Sequence, residues 1–274
     1  MRGLFQTMLA LAAAIAFAFL LLPLVALFLR VAPSDLIGGL GSEEVRDALL
    51  VSLKTSAIAH VIILIVGTPV AYLLGTRNFR GRGLLITLVE LPLVLPPAVA
   101  GIGLLAAFGR RGLLGDSLDA FGIRIPFTQT AVVLAIVFVA SPFYVRQAIA
   151  AFASVDRTLL DASRTLGSGP ARTFWRVALP LAAGGLAAGS SLAFARGLGE
   201  FGATILFAGS FPGVTRTAPL AIYAELDRSF DSALALGALL VVVSVLVLVA
   251  VKALTSWTLF GWTSPSPSAP STSS

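Results

Sequence analysis

The sequence predicts an all-α membrane protein with six transmembrane helices. Three observations predict it. Of the 274 residues, 57% are hydrophobic and only 12% are charged, whereas soluble domains carry about 25% charged residues. Six apolar runs are long enough to cross ~30 Å of hydrocarbon at ~1.5 Å per residue. The connections between them share arginine unevenly, as membrane loops do. Lipid cannot satisfy open backbone groups, so each spanning run is expected to be helical.

The first run, Leu4–Leu29, follows Met1-Arg2. A cleaved signal peptide has a shorter apolar core and a small-residue cleavage site, so this run is expected to be a retained helix. The others are Leu49–Leu74, Leu84–Phe108, Thr130–Phe152, Leu181–Gly202 and Ala233–Leu254. The third contains Pro96-Pro97, which removes two amide donors and sets two rings against the preceding turn. Gly101 and Gly103 follow. Pro69 and Pro142 read as helix-shaping. The fifth run has a thin face of Gly184, Gly185, Gly189, Ser190 and Ser191. Small residues let helices approach closely in lipid, and this face fits either a homodimer pore or a contact within one subunit. Residues 1–262 are expected to form a single transmembrane domain. The tail 263–274, which reads SPSPSAPSTSS from Ser264, is expected to be disordered.

With the N-terminus in the cytoplasm, the inner connections carry ten basic residues against two acids, Asp156 and Asp161. The outer ones carry eight against nine. The stretch TRNFRGRG, with three arginines and no acid beside two spans, argues most strongly for this orientation. There are no cysteines, and His60 is the only histidine. Disulfides, a cysteine-ligated metal and a histidine metal site or triad are thereby excluded, and His60 reads as a hydrogen-bonded interior residue. The only lysines, Lys54 and Lys252, follow no phosphate-binding glycine pattern. Energy for any ATP-driven process would have to come from a partner, and the chain reads as a transport subunit with no catalytic site.

The most polar stretch near the spans is DASRTLGSGPARTFWRVALP, residues 161–180, on the cytoplasmic side. Leu159, Ala162, Ser163 and Leu166 recur on one helical face. Asp156 suits the N-cap, and Gly167 the left-handed residue past the C-terminus. Asp161 is spaced to pair with Arg157 or Arg164. Pro170 suits the first turn of a second short helix running to about Val177. Leu179-Pro180 then begins the next span, and Phe174 and Trp175 are expected at the lipid interface. A basic cytoplasmic loop without a docking role would share much of this pattern.

The spacing Asp161-Ala162-Ser163, Gly167, Val177, Leu179-Pro180 resembles the EAA signature of ABC-importer permeases, with Asp and Ser replacing its first and third letters. LPLVLPPAVAGIGLL (91–105), GRRGLLGDSLDAFGI (109–123), SLAFARGLGEFGATILF (191–207) and PGVTRTAPLAIY (212–223) resemble the molybdate branch of the molybdate/sulfate permeases. Together these cover most of residues 45–255. The resemblance implies a type I ABC importer permease fold with a cytoplasmic coupling helix between helices 4 and 5. It implies Asp161, Ala162, Ser163, Gly167, Leu179 and Pro180 as the ATPase-coupling loop. The implied partners are a cytoplasmic ABC ATPase that uses ATP and Mg, an extracytoplasmic oxyanion-binding protein and a second copy of this chain. No cofactor of the chain's own is implied, and no nucleic acid. The implied location is the cytoplasmic membrane of a bacterium or archaeon, with both termini inside.

Arg196 and Glu200 sit toward the outer end of the fifth span, four apart, with Gly197, Gly199 and Gly202 around them. Intramembrane charges face a bundle interior or a water path; an interfacial pair with a snorkelling arginine is the alternative. Arg196, Glu200, Pro96, Pro97 and Gly199 are the candidates for a translocation path or gate. A purely structural kink at Pro96-Pro97 is equally consistent. Glu90 reads as an interhelical or inner-interface hydrogen bond. The expected cargo is molybdate, with tungstate and sulfate or thiosulfate as alternatives in the same machine. A secondary carrier or channel would need polar groups clustered at mid-membrane, which the sequence lacks.

Overall fold

The computed structural model describes residues 2–32, 38 and 41–260, and no strand occurs among them. Helix α1 spans Arg2–Arg30. Its residues from Leu4 to Ala26 are all exposed, as suits a helix that is apolar on every side. Helix α2 spans Glu43–Thr76 and starts six residues before the apolar run. Ser42 Oγ accepts the Val45 N–H at 3.2 Å, and Glu43 and Glu44 complement the positive helix end. At its other end the Arg82 Nε donates to the Leu74 carbonyl at 2.7 Å. One arginine of the basic TRNFRGRG stretch is therefore a helix cap.

The third apolar run is two helices, not one. Helix α3 covers Arg82–Val94 and α4 covers Pro97–Phe108. Leu95 between them is extended, at φ −72° and ψ 131°, because a residue before proline is pushed out of the helical region. Pro97 then serves as the first residue of α4, where its missing N–H costs nothing. The double proline thus interrupts the span completely. By contrast α2 runs through Pro69, and α6, spanning Gln129–Ala153, runs through Pro142. Helix α5, Gly115–Ala120, lies in the connection before α6.

After α6 come α7, Arg157–Thr165, and α8, Pro170–Thr173. The expected end of a second short helix near Val177 is absent. A π-turn over Phe174–Ala178 joins α8 to α9, Leu179–Leu198. Pro180 explains the π-turn: it cannot donate four residues back, and its ring would clash with that carbonyl. The Leu179 N–H instead reaches five residues back to Phe174. The fifth span therefore begins at Pro170 and ends at Leu198, before the expected Gly202. Helices α10, Gly202–Ala208, α11, Ala218–Leu226, and α12, Phe230–Phe260, complete the chain. Among the described residues five helices are long and apolar enough to cross a membrane, six if α3 and α4 make one span. The tail 263–274 lies outside the described residues.

The chain forms two compact units. One holds the stretch up to Ser56 with Pro97–Ala135 and Leu198–Ser244; the other holds Ala57–Pro96, Ile136–Gly197 and the chain from Val245. In the second unit, α6 is approached closely from two sides. A Cβ on Gly67 or Gly75 of α2 would lie 3.0 Å from Tyr144 or 2.9 Å from Phe152. A Cβ on Gly185, Gly189 or Gly197 of α9 would lie 2.5–2.9 Å from Ala151, Gln147 or Ile136. The Gly185-xxx-Gly189 face therefore serves a contact within the subunit, while Gly184 faces open space. His60 Nε2 and Ser190 Oγ join α2 to α9 at 2.9 Å, as an interior histidine should. Glu90 pairs with Arg146 of α6 at 3.4 Å, the interhelical role its position suggested.

In the first unit, α4 packs on α10. A Cβ on Gly101 would lie 2.7 Å from the Ala203 carbonyl, and one on Gly202 would lie 2.7 Å from Pro97 Cβ. Gly202→Val forces overpacking worth about 1–3 kcal/mol and is expected to lower the melting temperature of the detergent-solubilised protein by several degrees. Gly184→Ala, which meets nothing within 4 Å, is expected to leave it unchanged or raise it slightly. Tryptophan fluorescence against temperature reads both. Wild-type melting of Gly202→Val would refute the tight contact.

Candidate functional site

The loop from Asp156 to Pro180 is built from the backbone outward. Asp156 Oδ1 accepts the Thr158 N–H at 2.9 Å and caps α7. That bond favours the ionised carboxylate and holds it below its ordinary value of 3.8, so the cap is formed at neutral pH. At the other end, Ser168 N–H donates to Ser163 O at 3.0 Å and Gly167 N–H to Arg164 O at 2.9 Å. This double closure requires a left-handed residue, and Gly167 supplies it at φ +81°. Both helix-end assignments made from sequence hold.

The two arms of the loop are tied together. Ser163 Oγ and Thr173 Oγ1 lie 3.1 Å apart, with Thr173 and Leu160 buried. Asp161 pairs with Arg164 at 2.9 Å, both well exposed, where such a pair contributes little. The face of Leu159, Ala162, Ser163 and Leu166 points outward, not into a core. With Arg176, Val177, Leu179 and Pro180 it lines one cavity of about 900 Å³. Leu166 is 86% exposed. Of the predicted coupling residues, Ala162, Ser163, Leu179 and Pro180 meet on this groove, Gly167 turns the chain beside it, and Asp161 sits in the exposed ion pair. Sequence reasoning missed Thr173 and Arg176. Nothing in its spacing marks Thr173 as a tie, and Arg176 reads as one more basic loop residue.

Phe174 departs from the expectation of a lipid anchor. Its ring packs on Tyr72 at 4.9 Å and on Phe152 at 6.2 Å. The π-turn rotates it inward, and Trp175 keeps the exposed position.

The second group of candidates surrounds the two chain breaks. Arg196 lies in the last turn of α9, where a cation complements the helix dipole. Glu200 lies beyond the helix, since α9 stops at Leu198, so the two residues do not share a helical face by spacing. Gly199 is in the break. Glu200 Oε1 accepts the Ala203 N–H at 2.8 Å, and the residue is 2% exposed. It therefore supplies the capping bond that the break at Gly199–Phe201 would otherwise leave unmade. Pro97 touches Gly202 at the start of α10, as described above, while Pro96 is exposed. The residues that sequence reasoning missed here are Ser52, Thr204 and Thr217. Ser52 Oγ accepts the Ala218 N–H at 2.7 Å across 166 residues of sequence.

Residues 67–258 match the family of binding-protein-dependent transport system inner membrane components. The molybdenum transport system permease protein ModB of Mycobacterium bovis is 47% identical over 239 residues, covering 86% of this chain and 90% of that protein. The sulfate transport system permease protein CysT of Synechococcus elongatus is 33% identical over 242 residues, covering 87% of each. A crystal structure of a bacterial ABC transporter involved in the import of the acidic polysaccharide alginate superposes with a TM-score of 0.76 at 16% identity, covering 93% of this chain and 96% of that one. The fold is that of the type I ABC importer permeases, and the protein is a multi-pass membrane protein. Matched by that family along most of its length, the chain belongs to the binding-protein-dependent transport system inner membrane components.

Proposed function

We propose that this chain is the permease subunit of an ATP-driven, binding-protein-dependent importer of molybdate. The single observation that carries the reading is its high identity to a molybdenum transport permease along nearly the whole of both chains. The sulfate permease is less similar over the same extent, which favours molybdate over sulfate. Tungstate matches molybdate in charge and nearly in size, and nothing in the residues separates them. Two copies of the chain would surround the path in a bacterial or archaeal cytoplasmic membrane, with both termini inside. An extracytoplasmic protein would deliver the oxyanion, and a cytoplasmic ATPase would bind ATP and Mg. The permease itself would carry no catalytic group and no cofactor.

The groove-lining face of α7 is the proposed docking surface for the ATPase. Its small residues, Ala162 and Ser163, permit close approach, and the exposed Leu159 and Leu166 offer apolar area. The Gly167 turn and the Ser163–Thr173 tie fix α7 against the start of the fifth span. A push on the loop would therefore move that helix.

The reading is tested with the chain reconstituted in vesicles beside its ATPase and binding protein. Uptake of molybdate is expected to require ATP, and to be inhibited by tungstate more strongly than by sulfate. Uptake without ATP would overturn the importer assignment. Gly167→Val places a β-branched residue at a left-handed backbone, which costs roughly 1–2 kcal/mol or more. About tenfold lower uptake per ATP hydrolysed is expected, the factor that ~1.4 kcal/mol of lost coupling gives. Native stoichiometry in that variant would remove the loop from the coupling role. Arg196→Ala is expected to assemble normally, by size-exclusion chromatography, yet to lose most molybdate uptake. Normal uptake would place Arg196 off the path.

A further inference from the structure

In this chain the hydroxyls of helical threonines habitually bond their own backbone. Thr55, Thr68, Thr76 and Thr87 each donate to the carbonyl four residues back, at 2.6–3.1 Å. Two buried threonines of the first unit do not. Among the described residues Thr204 Oγ1 and Thr217 Oγ1 find no hydrogen-bond partner, and the two threonines are 0% and 3% exposed. An unmade hydrogen bond on a buried hydroxyl costs about 1–3 kcal/mol. A buried group left unsatisfied calls for a specific explanation, such as strain, a functional role, or a water or ion that meets it.

Their positions point to the partner. Thr204 sits in the first turn after the break at Gly199–Phe201, on the helix that packs against the other broken span. Non-helical backbone at membrane depth is tolerated only inside protein or along a water-filled cavity. Thr217 is the N-cap residue of α11, where a threonine ordinarily accepts a first-turn N–H. It makes no such bond. The second helical residue is Pro219, which has no N–H to offer it, while Ser52 takes the Ala218 N–H. Its neighbour Thr215 is used, accepting the Phe211 N–H at 3.0 Å. Arg216, between the two, is held by Ser210 Oγ at 3.3 Å. Nearby, Glu200 gives one carboxylate oxygen to the Ala203 N–H. Both threonines fall in the two stretches that resemble the molybdate permeases yet belong to neither the coupling loop nor the charged pair.

We propose that Thr204 and Thr217 are hydrogen-bond donors to the translocated oxyanion, a charge-neutral step on its path that becomes accessible when the packed first unit opens. The proposal rests on the importer reading above. A fully deprotonated tetrahedral oxyanion offers only acceptor oxygens, which a hydroxyl can meet. Neutral donors bind such an ion less tightly than a lysine or arginine would, and so let it leave.

The test uses the complete complex in vesicles, with Thr204→Val and Thr217→Val, which keep shape and remove the hydroxyl, beside Thr204→Ser and Thr217→Ser, which keep the hydroxyl. Molybdate uptake and ATP hydrolysis stimulated by the binding protein are measured together. Each valine variant is expected to lose about tenfold in uptake per ATP hydrolysed, with stimulated hydrolysis unchanged. The serine variants are expected to transport within about twofold of wild type. Native uptake by both valine variants would overturn the proposal, because the hydroxyls would then serve only buried water. Equal loss in serine and valine variants would also overturn it, since methyl packing would be the cause. Absence of ATP-dependent uptake by the wild-type complex would remove the importer reading and this step with it.

Discussion

A backbone in lipid has to satisfy its own hydrogen bonds, and this requirement organises the molecule. Continuous helices meet it without help. At several places where the chain departs from a helix, a named side chain or backbone adjustment takes up a lost bond. Arg82 covers the last carbonyls of α2, and Asp156 opens α7. Glu200 caps the start of α10, and Ser52 caps α11 from a distant helix. At Pro180 the backbone makes its own repair by stepping one residue further back. The polar residues of this apolar chain are concentrated at these departures, so most of them are structural before they are anything else. That is why a hydroxyl left unbonded among them carries information.

The same solvent removes much of the hydrophobic drive for helices to associate, leaving close packing to hold them together. Five glycines of α2 and α9 let α6 approach closely, and Gly101 and Gly202 do the same for α4 and α10. Tyr72, Phe152 and Phe174 pack together in the second unit with edge-to-face and tilted rings. A glycine face is thus spent inside the subunit. The exposed stretch Leu4–Ala26 of α1 and the largely exposed α3 remain as surface for lipid or other chains.

Much of this was legible in the sequence, for reasons that separate cleanly. Long apolar runs reveal spans because membrane thickness sets their length, and Asp156 and Gly167 reveal helix ends because each end needs one particular kind of residue. The double proline announced a disturbance, but whether it bends or severs a helix depends on what receives the second half, here the Gly202–Ala203 edge of α10. The π-turn was hidden because Pro180 reads equally well as a helix start. Glu200 was expected inside the fifth span, whose helix in fact ends at Leu198 because Gly199 follows it. Thr173 and Ser52 were invisible because their partners lie 10 and 166 residues away. A tie across the fold leaves no local period to read.

The repair at Pro180 has a mechanical consequence. Because the π-turn preserves continuity, Pro170–Leu198 is one helical run of 29 residues, about 44 Å at 1.5 Å per residue. Its beginning is bound to α7 through Ser163 and Thr173, and its end is the break at Gly199–Phe201. A kinked or separately hinged entry would absorb a displacement of the loop at Pro180. A continuous rod has no such hinge at Pro180, and its first non-helical residues come only after Leu198. The proline that resembled a point of re-entry into the membrane thus belongs to a stiff connection. The interruption lies at its far end, where Gly199 follows the last helical turn and the buried Glu200 carboxylate holds the start of α10.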